Sequence, residues 1–144
     1  MSMSTVYTTL YSAIDTILQA VSNVKEIHKK PTSKFSKYPA VVYFPSTVEN
    51  VFETTSENKR NHKFKLFVII GVEQTDLDTV FGTVLSNTCD AIISAFDTNW
   101  SLTTIDGHRC WLRIDAGNWN YDNTEGGAIA YAEFDLIIQL LTNN

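Results

Sequence analysis

The stretch His62-Lys-Phe-Lys-Leu-Phe-Val-Ile-Ile-Gly-Val72 decides the fold. Phe64, Leu66, Val68, Ile70 and Val72 recur at a period of two, which is the side-chain period of a β-strand. Lys63 and Lys65 begin the opposite face, and Phe67 and Ile69 end it. The strand is therefore expected to be wet on one side at its start and covered on both sides at its end. Upstream, Pro39 opens the apolar run Ala40-Val-Val-Tyr-Phe44. Pro45 cannot donate to a ladder, so it marks an edge or a bend, beyond which Val48, Val51 and Phe52 continue the strand. The two runs, about 39–52 and 62–72, are predicted to pair as a long hairpin. Its polar tip, Thr54 to Asn61, is expected to protrude beyond the sheet as an arm that orders against a neighbouring subunit.

Two helical patterns flank this hairpin. In residues 4–24, Val6, Leu10, Ala13, Ile14, Ile17, Leu18 and Val21 form one apolar stripe, with Ser4 or Thr5 as cap and Ser22-Asn23 as stop. Residues 77–96 repeat the pattern through Leu77, Val80, Phe81, Val84, Leu85, Thr88, Ala91, Ile92 and Ala95. Between the first helix and the hairpin lies a basic connector with Lys25, Lys29, Lys30, Lys34 and Lys37, where Ile27 marks a short strand. Three strands close the chain, at about 101–105, 109–120 and 128–141. Asp106-Gly107 is a two-residue hairpin signal between the first two, and Asn123 to Gly127 turns into the last. In that last strand Ala130, Ala132, Phe134, Leu136, Ile138 and Leu140 share a face. The order predicts one α+β domain over 1–144, a mostly antiparallel sheet with both helices packed on one face.

A chain of 144 residues buries roughly two-thirds of its unfolded surface, enough for a core without metal or disulfide staples. Its net charge of −5 argues against a general nucleic-acid coat. The average hides a split. Residues 1–72 carry nine basic and five acidic side chains, net +4; residues 73–144 carry two and eleven, net −9. The opening Met1-Ser2-Met3-Ser4 lacks the charged start of a signal peptide. No window approaches the ~18 apolar residues of a membrane span. A soluble chain made in the cytoplasm is expected, with Cys89 and Cys110 as reduced thiols.

No pattern for catalysis stands out. There is no Gly-x-Ser-x-Gly elbow, phosphate loop or dinucleotide fingerprint. His108 and Cys110 have a ligand-like spacing, but two ligands fall short of the three or four that zinc requires. Glu133 and Asp135 share a strand face, and without a cleft they read as a solvated or interface surface. No enzyme activity, cofactor or metal is expected. The connector, with Phe35 and Tyr38 interleaved, fits a solvated loop, an acidic protein partner, or nucleic acid. In that last case Lys25 to Lys37 and Lys59 to Lys65 would make a small nucleic-acid-binding module. Trp119 and Tyr121 lie in a Gly/Asn-rich segment and either fold back onto the body or mark an interface. The candidates for subunit or partner contact are Lys29, Lys30, Lys34, Lys37, Glu53, Glu57, Lys59, Arg60, Trp119 and Tyr121.

The layout as a whole resembles the tail terminator, or tail completion, proteins of long-tailed bacteriophages. The likeness lies in element order: an N-terminal helix, a connector with KYPAVVYF, the hairpin VENVFETTSENKRNHKFKLFVIIGVE, a helix LDTVFGTVLSNTCDAIISAF, and the closing pair CWLRIDAGNWNY and GAIAYAEFDLIIQLL. The resemblance implies a virion protein that forms a ring, usually a hexamer, at the head-proximal end of the tail tube. Such a ring caps the tube and meets the head-side connector protein, and DNA passes through its lumen without sequence-specific binding. Head-closure and head–tail joining proteins of the phage neck are the alternative within the same class. In a ring of this kind acids facing the lumen would deny DNA phosphate contacts. The candidates are Asp106, Asp115, Asp122, Glu125, Glu133 and Asp135. The two charge halves would supply the unlike surfaces that head-to-tail contacts require.

Overall fold

The computed structural model describes residues 3–31, 35–52, 57–72, 80–105, 108–115, 117–124 and 127–143. The elements are α1 (Met3–Gln19), β1 (Glu26–His28), β2 (Ala40–Phe52), β3 (Glu57–Val72), a π-helical turn (Val80–Leu85), α2 (Ser86–Thr98), β4 (Ser101–Ile105), β5 (His108–Asp115), β6 (Trp119–Thr124) and β7 (Gly127–Asn143). The sheet order is β1-β2-β3-β7-β5-β4, and β6 also pairs with β7. All pairings are antiparallel except the short parallel one between β1 and β2. The fold is α+β, with both helices on one face of a mostly antiparallel sheet.

The period-two reading of β3 and β7 describes the core. Phe64, Leu66, Val68 and Ile70 lie beside Leu136, Phe134, Ala132 and Ala130, all buried on the helix side. Val41 and Tyr43 extend this inner face on β2, and Cys110 and Leu112 on β5. The stripe Val6, Leu10, Ile14, Ile17, Leu18 and Val21 of α1 closes over it. Tyr43 donates its hydroxyl to the Asp15 carboxylate at 2.5 Å, and Lys29 meets the other Asp15 oxygen at 2.6 Å. A single acid on α1 therefore ties the helix to β2 and to the connector.

Four boundaries differ from the sequence expectation. The first helix ends at Gln19 instead of residue 24, and two i→i−3 turns, Val21 to Leu18 and Val24 to Val21, unwind it while keeping Val21 buried. The buried stripe of the π-helical turn and α2 is Leu85, Thr88, Cys89, Ile92 and Phe96, whereas Val84 is exposed. A π-helical turn carries an extra residue per turn, which rotates the stripe away from a pure α-helical count. The third difference concerns the hairpin. β3 begins at Glu57, not His62, because β7 continues beside it as far as Asn143. Residues 57–61 are therefore held between β2 and β7 rather than projecting as a free arm. The predicted tip residues 54–56 lie outside the described residues. Pro45 sits at the bend foreseen for it, where the β2–β3 register shifts between Pro45 and Thr47. The fourth difference is the strand expected at 109–120, which is β5 and β6 with a break between them.

The inner face turns polar at its far end. His62 is buried, and its Nδ1 lies 3.3 Å from the Tyr7 hydroxyl. Burial pushes its pKa below the ordinary 6.5, and the nearby Arg60 charge adds to the effect. The folded chain therefore resists a proton that the unfolded chain accepts, so stability falls as pH drops through about 6.5. We predict that the melting temperature declines between pH 7.5 and 5.5, measured by circular dichroism, and that His62→Leu flattens this slope. His28 and His108 are present in both proteins, so an unchanged slope in the variant would remove His62 as its source.

Candidate functional site

Among the described residues, the outer face of the sheet carries no helix and divides into two zones. One is a band of charge. Lys65 meets Asp135 at 2.9 Å and Glu133 at 3.5 Å, Lys63 meets Glu49 at 3.4 Å, and Arg113 meets Asp115 at 3.0 Å. Asp115 pairs directly with Asp135 across the β5–β7 ladder. Lys65 keeps its proton more firmly than usual, mainly through the Asp135 hydrogen bond. The second zone is aromatic. Phe44 stacks on Phe67 with centroids 5.8 Å apart, and Phe67 meets Tyr131 edge-on at 6.0 Å. Together with Val42, Ile69 and Ile129, and with Pro31 from the connector, they line a groove of about 270 Å³. The sequence expectation that this end is covered holds for Ile69, which is buried, but Phe44, Phe67 and Tyr131 remain half-buried.

The other notable surface lies at β6. From the pair Asp115–Asp135 to the pair Trp119–Ala132, the β5–β6 chain advances four residues while β7 advances three. This one-residue excess is a β-bulge. Asn118 and Glu133 exchange backbone hydrogen bonds of 3.1 and 2.9 Å across it. Only glycine fits at 117, where an added Cβ would stand 1.5 Å from the Glu133 carbonyl oxygen. A one-residue shift moves every later side chain to the opposite face. In β5 the odd residues 111, 113 and 115 point to the outer face; in β6 the odd residues Trp119 and Tyr121 sit over Ala132 and Ala130 on the helix side. There they stay 51% and 48% exposed, beside a cleft of about 210 Å³ bordered by Ser86, Cys89, Asp90 and Ile93 of α2. Among the described residues, β7 is the only ladder partner of β6.

The candidates named from sequence are distributed unevenly. Asp115, Glu133 and Asp135 do come together, but Lys63, Lys65 and Arg113 balance them, so this face is not the purely acidic lining expected. The same pairs show that the +4 and −9 halves of the chain do not form two separate surfaces: β3 and β7 lie side by side. Lys29 is spoken for by Asp15, and its ammonium lies 5.7 Å from the Tyr11 ring centre. Lys30 and Lys37 lie exposed in the connector. Glu57, Lys59 and Arg60 belong to the β3 ladder, and Arg60 shares the inner face with His62 and Leu140. Trp119 and Tyr121 are about half-exposed on the helix side, with Trp119 beside α2. The backbone of Asp122 pairs with Ile129 in the β6–β7 ladder. Lys34, Glu53, Asp106 and Glu125 lie outside the described residues. Phe35 contacts His28 and Tyr38, and the Tyr38 ring covers Gly71, so these aromatics serve the connector's own packing before any stacked base. The Glu26 carboxyl anchors the same connector. Desolvation is the largest single influence and raises its pKa, but the amides of Lys37 and Ser36 and the His28 ring together outweigh it and hold it below the ordinary value.

Cys89 and Cys110 are core residues whose thiols burial pushes up to about 12, so both stay protonated and unreactive at neutral pH. Among the described residues, no three His, Cys, Asp or Glu side chains gather as a metal site. No described helix is long and apolar enough to cross a membrane. No family model matches the chain, and no curated protein matches it either.

Two features escaped the sequence reading. The aromatic groove is split among three strands that only the ladder brings together. The bulge did leave a signal: core-facing residues change from even (Cys110, Leu112, Ile114) to odd (Trp119, Tyr121) across Gly117-Asn118. Gly117→Ala tests its role. The variant is expected to lose at least ~1–3 kcal/mol of stability from the forced overlap. Amide exchange should accelerate in β6 more than in β5. Wild-type stability with unchanged exchange would show that the bulge does not hold β6.

Proposed function

We propose that this chain is a structural virion protein of the phage tail-terminator type. It assembles into a ring, a hexamer by analogy with that family, at the head-proximal end of the tail tube. There it stops tube growth, meets the head-side connector protein, and leaves a lumen through which DNA passes. The element order of the resemblance supports this reading. The observation that carries it is the presence of two unlike surfaces on one small fold: the uncovered outer groove around Phe44, Phe67 and Tyr131, and the exposed aromatic edge at Trp119 and Tyr121. Rings are built from heterologous contacts, in which each subunit offers two different patches. Of the lysines a nucleic-acid reading would use, Lys63 and Lys65 are paired with acids, which favours the structural reading.

Electron microscopy and native mass spectrometry of the purified chain, alone and with its cognate tail tube protein, test the proposal. Rings of uniform copy number, and tubes capped at one end, are the expected result. A monomer under every condition, with tube growth unaffected by its addition, would refute it.

A further inference from the structure

We infer that the groove on the outer face is the seat for the β6 aromatic edge of a second copy of this chain. The inference rests on the ring reading and names the contact from which such a ring is built. Four observations lead to it.

The first is the pair of shapes. Trp119 and Tyr121 stand half-exposed on β6, while Phe44, Phe67 and Tyr131 line a half-buried depression. Trp and Tyr are the residues most enriched at the energetic centres of protein contacts. The groove, about 270 Å³, is smaller than the ~300 Å³ at which small-molecule pockets begin, and suits inserted side chains better than a free ligand.

The second is their placement. Ala130 and Ala132 of β7 lie under Tyr121 and Trp119, while Ile129 and Tyr131 of the same strand line the groove. Successive side chains of a strand point to opposite faces. The edge and the groove therefore face opposite ways on one slab of sheet. Two copies joined edge to groove leave one free edge and one free groove, which is the head-to-tail geometry of a ring or filament.

The third is charge. Asp90, exposed on α2, borders the cleft beside Trp119. At the groove, exposed Lys37 precedes Tyr38, whose ring lies on Gly71 opposite Ile129 of the groove wall. An acid at the edge thus meets a lysine at the rim, which steers association and penalises the like-to-like pairing of two edges.

The fourth is the bulge. Without the extra residue at 116–118, Trp119 and Tyr121 would fall on the same face as the groove, and the head-to-tail relation would vanish.

Sedimentation velocity over a concentration series tests the contact. Three variants are compared with wild type, each checked for folding by circular dichroism: Trp119→Ala with Tyr121→Ala (edge), Phe44→Glu (groove) and Lys37→Glu (rim). The edge and groove variants are expected to associate at least ~30-fold more weakly than wild type. An equimolar mixture of the two should form one-to-one pairs and stop, because only one intact edge and one intact groove can meet. The Lys37→Glu variant, an exposed change that leaves the fold alone, should weaken association most at low salt. Phe44→Ala replaces Phe44→Glu in the mixture if that variant fails to fold. Wild-type assembly by the edge or rim variant would overturn the contact while leaving the ring reading standing, as would a mixture of folded variants that stays monomeric. A wild type that remains monomeric throughout would overturn both.

Discussion

Sixteen residue pairs join β3 to β7, and every other element takes its place from that ladder. It puts the apolar inner faces of the two strands in register, from Phe64–Leu136 to Ile70–Ala130, which creates an inner surface wide enough for two helices. β2 adds on one side and β5 and β6 on the other, so β3 and β7 keep no free edge over most of their length. The same ladder decides the electrostatics. It brings the most basic strand of the chain against an acidic one, and Lys65 bridges to Glu133 and Asp135 in the middle of the outer face. A charge split that looks large along the sequence is largely neutralised across the sheet. Among the described residues, what survives is more local: exposed Lys37 in the connector and exposed Asp90 beside the β6 cleft.

The second constraint is the bulge at Gly117. Strand parity is rigid, so a single extra residue is the least change that can send one pair of aromatics to the helix side while the rest of the strand continues along β7. The close approach of Gly117 to the Glu133 carbonyl leaves no room for any other residue. One glycine therefore decides which face of the sheet Trp119 and Tyr121 occupy.

Much of this was legible in sequence, and the limits are physical. Long alternating runs such as His62 to Val72 and Ala128 to Leu141 report both strand and face, because a buried face tolerates no slip. Helix ends and the π-helical turn were misplaced because they depend on local hydrogen bonds, such as Val21 to Leu18, that composition does not encode. The hairpin tip was read as free because its residues are polar; its first half-ladder on β3 is instead templated by β7, a partner some eighty residues away. Asp15, a polar residue of α1, is the acceptor for a buried tyrosine. Trp119 and Tyr121, singled out as large aromatics in a Gly/Asn-rich segment, are half-exposed on β6. Lys29 is held in an ion pair with Asp15 that no spacing rule predicts.

The account turns on whether the edge and the groove are two halves of one contact. Hydroxyl-radical footprinting across the assembly transition reads this directly, with Trp100, 55% exposed and away from both surfaces, as internal control. Trp119, Tyr121, Phe44 and Tyr131 should lose reactivity together as the assembled mass appears, while Trp100 stays unchanged. Assembly with Trp119 and Tyr121 as reactive as in the monomer would contradict the account.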